Sequence, residues 1–109
     1  MDTNIKKAFL EKYREYYKNQ GLPEAEIVKI LGFKNAVALR KAVYLCMEKP
    51  ETTIKRREIA AKTLESNGKM NDAELAESFG LKKYKMYGLV EITNNEEEII
   101  ADIKKALAM

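Results

Sequence analysis

The sequence predicts an all-α fold of about seven helices, and three observations point to it. Apolar residues recur at spacings of three and four along most of the chain, the period of a half-buried helix. Gly21, Gly32, Gly68, Gly80, Pro23 and Pro50 punctuate those stretches at helix-length intervals. The 109 residues are 46% hydrophobic and 34% charged, which suits one compact domain or two very small units.

The first helix is expected from about Ile5 to Asn19. Ile5, Phe9, Tyr13, Tyr16 and Tyr17 form one face of it, with the rings packing in the core and the hydroxyls at its rim. Gly21 ends it, because glycine accepts the left-handed backbone of a helix C-terminus without strain. Pro23 opens a second helix that stops at Gly32, and Glu24 and Glu26 complement its positive N-terminus. Asn35 caps a third, which runs to Glu48 and stops before Pro50. Thr53 opens a fourth, closed by Asn67-Gly68. Asn71 with Glu74 resembles a capping box and starts a fifth, which ends at Gly80. A sixth begins at Lys82 or Lys83 and runs to about Val90, with Leu89–Thr93 as a candidate short strand because of its β-formers. Asn95 and three glutamates start a seventh, whose stripe is Ile99, Ile100, Ile103, Ala106 and Leu107.

Residue types exclude most chemistry. There is no His and a single Cys, Cys46, which lies in the apolar run Ala42–Met47. Structural zinc, an internal disulfide and the usual Ser/His or Cys/His nucleophile pairs therefore lack their groups. No carboxylate pair stands out from ordinary helix surface. The expectation is a binding protein and not an enzyme, with no catalytic residue, metal or cofactor. The apolar run is far too short for a membrane span, and no charged-then-apolar leader opens the sequence, so a cytoplasmic protein with no membrane partner is expected.

Charge is uneven. Residues 1–52 carry 10 Lys and Arg against 7 Asp and Glu, residues 53–95 carry 8 against 6, and residues 96–109 carry 2 against 4. A mildly basic body with an acidic tail is compatible with a nucleic-acid partner without demanding one.

The chain also repeats. Pro23–Ala42 laid over Asn71–Val90, an offset of 48 residues, aligns Ala25 with Ala73, Glu26 with Glu74, Gly32 with Gly80 and Lys34 with Lys82. Ile27, Leu31 and Phe33 meet Leu75, Phe79 and Leu81, apolar for apolar. The expected organisation is two tandem tri-helical units, 1–52 and 53–94, followed by a C-terminal amphipathic helix at 95–109.

The second copy carries a small residue, Ala76, where two helices would nearly touch. It has Gly80 at the tight turn and apolar Leu75, Phe79, Leu81, Met86 and Leu89 at the packing positions. Over some 20 residues it resembles the helix-turn-helix family of DNA-binding proteins. The first copy is weaker, with Val28 at the small position and Lys41 where an apolar side chain is wanted. There Leu39, Val43 and Cys46 or Met47 make a better buried stripe.

The resemblance implies a recognition helix whose outer face carries Lys82, Lys83, Tyr84, Lys85 and Tyr87. Lysines there neutralise phosphates or donate to guanine, and tyrosines donate to phosphates or pack on thymine methyls. No Asn, Gln or Arg stands in that segment, so bidentate base reading is not evident. The matching set in the first copy is Lys34, Asn35, Arg40, Lys41 and Tyr44, although Asn35 is better placed as a cap. Lys55, Arg56 and Arg57 form the densest basic run, placed by this reading at the start of the fourth helix, where cations conflict with the helix dipole and phosphate contact is attractive.

The expected function is that of a small double-stranded DNA-binding regulator of transcription or replication. It looks like the compact regulators of phages and plasmids. The alternative is a helical adaptor or inhibitor that docks on a partner protein through the acidic tail and C-terminal stripe. That stripe either closes the core or forms a homodimer contact, and the dimer is preferred because readers of this type commonly pair over two half-sites.

Overall fold

The computed structural model describes residues 2–108, and every regular element among them is helical. Helix α1 spans Thr3–Arg14 and continues in π geometry over Glu15–Asn19; α2 spans Glu24–Leu31 and α3 Ala36–Met47. Helices α4, α5, α6 and α7 span Pro50–Glu65, Asp72–Ser78, Lys83–Asn94 and Glu96–Leu107.

Local chemistry explains the boundaries. Asp2 caps α1, accepting from the Asn4 amide at 2.7 Å. Asn35 caps α3, accepting from the Ala38 amide at 2.8 Å. Asn71 and Glu74 form a reciprocal pair at the start of α5, the Asn71 side chain accepting from the Glu74 amide and donating to its carboxylate. Pro50 opens α4 directly, three residues before the expected start, since its missing N–H is one the first turn leaves unpaired.

Leu89–Thr93 is helix and not strand. Leu89 and Val90 pack toward the core through the helical period, and Thr93 satisfies its hydroxyl by donating to the Leu89 carbonyl one turn back. Both interactions need a helix, and they outweigh the β-propensity of the side chains.

The chain divides into two compact units: the residues up to Glu48 together with those from Glu97, and Lys49–Glu96. The C-terminal helix is thus part of the first unit and not a separate element. In that unit α3 packs against α1 and α2. Its buried apolar side chains include Phe9, Ile27, Leu31, Phe33, Leu39, Ala42 and Leu45, with the Phe9 and Phe33 rings edge to face at 6.0 Å. Cys46 is buried too, and desolvation raises its thiol to about 11, so it stays protonated and unreactive at neutral pH.

Helix α7 adds Ile99, Ile103 and Ala106 to the buried residues, while Ile100 and Leu107 are half-buried. Lys34 pairs with Glu98 at one end of it, and the Lys12 ammonium donates to the Ala106 carbonyl at the other, at 2.8 Å. The apolar stripe that suggested a dimer contact is therefore largely covered by the chain's own first unit.

In the second unit α6 packs against both α4 and α5. Ile59, Leu75, Ala76 and Met86 are buried at the centre, with Phe79, Leu81, Leu89 and Val90 around them. Ala76 is 1% exposed within that cluster, so Ala76→Leu is expected to overpack the crossing and cost about 1–3 kcal/mol. Thermal unfolding reads this, and a melting curve equal to the parent's would show that the site has room.

Candidate nucleic-acid interface

The second unit's candidate surface is built on α5, a tight turn and α6. Gly80 holds the turn at φ 70°, in the left-handed region where a side chain would be strained. The Gly80 amide donates to the Glu77 carbonyl at 2.9 Å and the Leu81 amide to the Ala76 carbonyl at 2.9 Å, closing α5 as α6 begins. The first unit makes the same turn 48 residues earlier. Gly32 has φ 78°, its amide donates to the Lys29 carbonyl, and the Phe33 amide donates to the Val28 carbonyl. The sequence offset is thus matched bond for bond in the backbone of the two turns.

Past the turn, Met86 is fully buried and orients α6, leaving Lys82, Lys83, Tyr84, Lys85 and Tyr87 exposed on the segment that opens the helix. Tyr84 projects furthest among the rings, at 67% exposure. Tyr87 donates its hydroxyl to Asp72 across the α5–α6 pair, a contact that holds its phenol above its ordinary pKa and steadies the ring. The three lysines make no ion pair among the described residues, and they crowd a helix N-terminus that has no side-chain cap. The helix dipole disfavours cations there, so an incoming anion would relieve that conflict.

Other cations predicted at the interface are engaged by the protein itself. Arg40 forms a two-point ion pair with Glu24, at 2.7 and 2.9 Å, which lowers the Glu24 pKa. Lys34 pairs with Glu98 at 3.2 Å, and Asn35 uses its side chain as a cap. Lys41 is half-buried, which fits its position on the flank of α3, and Tyr44 sits at the margin of exposure. The first unit therefore offers few of its predicted contacts.

The basic run on α4 divides three ways. Because α4 starts at Pro50, these residues lie beyond its first turn, and the dipole conflict expected of them does not arise. Lys55 is exposed and lies beside Leu81 and Leu89 on a cavity of about 120 Å³. Arg56 is the opposite of a surface contact: its side chain is 0% exposed and donates to Thr93 Oγ1 at 2.8 Å and to Glu96 at 3.3 Å. Arg57 meets the other carboxylate oxygen of Glu96 at 2.5 Å. Arg57, together with Arg56, holds the Glu96 carboxyl below its usual range. Nothing in the sequence ties Glu96 and Thr93 to Arg56, since they lie 37 or more residues from it.

Among the described residues no group of three or more His, Cys, Asp or Glu could hold a metal ion, and no helix is long and apolar enough to cross a membrane. Comparison with family models, curated proteins and solved structures finds no match to this chain.

Proposed function

We propose that the protein binds double-stranded DNA through its second unit, as a small regulator of transcription or replication of the phage and plasmid type. In this reading α5 and α6 act as a helix-turn-helix, with the opening of α6 set in the major groove. The observation that carries it is the cluster of Lys82, Lys83 and Lys85, exposed and without ion pairs among the described residues, at the start of the helix that follows the Gly80 turn, beside Tyr84 and Tyr87. Lys55 extends the cationic surface. Lysine contacts go mainly to phosphates, so affinity would exceed sequence discrimination. The adaptor reading needed the apolar face of α7, and the burial of Ile99 and Ile103 removes most of that surface.

The test is duplex affinity measured against salt. The Lys82→Ala/Lys83→Ala variant should lower the slope of log affinity against log salt by up to about 1.8, since each neutralised phosphate contributes about 0.9. Arg40→Ala should leave the slope nearly unchanged, because Glu24 already neutralises that guanidinium. Absence of duplex binding at low salt would remove the reading.

A further inference from the structure

The first unit carries a groove of about 300 Å³ that is separate from the α6 surface. Leu10, Val43 and Met47 form its apolar lining, and Tyr13 and Tyr17 form its aromatic one. The two rings lie parallel, 5.5 Å apart between centroids with 7° between planes. Tyr17 is 58% exposed and Met47 is exposed beside it, although core packing was the expectation for these tyrosines. Arg14 and Lys18 complete the lining, and no acidic residue is part of it. Nearby Glu24 is neutralised by Arg40.

The backbone beneath the rings is unusual. From Glu15 the helix widens, the Gln20 amide donating to the Glu15 carbonyl and the Leu22 amide to the Tyr16 carbonyl. Such π-helical turns cost regular hydrogen-bond geometry and are frequent at functional sites.

From this arrangement we propose that the groove binds single-stranded nucleic acid, one or two unstacked bases lying on the Tyr17–Tyr13 stack while Arg14 and Lys18 meet the flanking phosphates. A parallel ring pair whose outer ring, Tyr17, is exposed selects a flat occupant, and two cations without a lining carboxylate select an anionic one; a nucleotide is both. An acidic protein helix also meets the charge condition. It would need anchors over two or more turns, however, and this groove is too small for them. The site is distinct from the proposed duplex surface and does not depend on it.

The test uses the whole protein and a fluorescein-labelled oligothymidylate, read by anisotropy at several salt concentrations. The parent should bind at low salt. Tyr17→Ala should weaken binding by about tenfold or more, the effect of losing one stacked base, while Tyr17→Phe, which keeps the ring, should bind like the parent. Arg14→Gln/Lys18→Gln should reduce the salt slope by about 1.4. These side chains are largely exposed, so circular dichroism should show an unchanged fold. None of the variants should alter duplex affinity, and Lys82→Ala/Lys83→Ala should not alter oligothymidylate affinity, which separates the two sites. The proposal is overturned if the parent fails to bind oligothymidylate at low salt, or if Tyr17→Ala binds it as well as the parent. Saturable binding of an acidic amphipathic peptide in its place, lost in Tyr17→Ala, would overturn it as well.

Discussion

Glu96→Ala should destabilise the protein by about 3 kcal/mol. The reason is the Arg56 side chain, which is fully buried and pairs with the Glu96 carboxylate at 3.3 Å. The variant takes one opposite charge away from a guanidinium held out of water, and the neutral Thr93 hydroxyl does not replace it. Arg56→Met should cost much less, because it removes the buried charge and leaves Glu96 paired with the half-exposed Arg57. Urea unfolding at neutral pH compares the two, and equal losses would contradict this account.

The same carboxylate sets an acid limit. Its folded pKa lies below the unfolded value, so its contribution is fully present above the usual carboxylate range of about 4.3 and is lost as pH falls through the folded value. The parent should lose stability in that acid window, and Glu96→Ala should lose less of it.

Ile103→Ala should cost about 3 kcal/mol, since Ile103 is completely buried and its truncation leaves a cavity in the first unit. The measurement also decides how α7 is used. If the stripe closes the unit's own core, the melting temperature of the parent is independent of protein concentration, and the variant melts lower by the same amount at every concentration. If the stripe joined two copies, dilution would lower the parent's melting temperature. A concentration-dependent melt that disappears in Ile103→Ala would overturn the packing described here.

Helices and turns were readable in the sequence because their causes are local. Gly21, Gly32, Gly68 and Gly80 all take positive φ, and Asn35 and Asn71 both cap as their positions suggest. The buried set Leu75, Ala76 and Met86 lies where the helix-turn-helix resemblance places its packing residues. The candidate site was less readable, for two reasons. A cation's availability depends on distant carboxylates, so Arg56 and Lys82 look alike in sequence while one is sealed against Glu96 and the other is exposed. Aromatic residues at helical spacing suggest a core, yet the π-helical turn after Arg14 accompanies a Tyr17 that lies largely in solvent.

The first unit is assembled from two segments separated by the whole of the second. Lys12 and Ala106, which meet at 2.8 Å, are 94 positions apart, whereas the hydrogen-bonded side chains of the second unit are at most 40 apart. Bringing remote segments together must overcome loop-closure entropy before any contact rewards it, so folding rates fall as the mean separation of contacts grows. The second unit can therefore acquire its structure early. Once folded, it replaces a flexible loop between Glu48 and Glu97, so the return of α7 to the first unit closes less disordered chain. On this view the Gly80 turn and the Ile59–Met86 core act as a folding aid for the unit that encloses them in sequence, and damage there would slow the maturation of the entire chain.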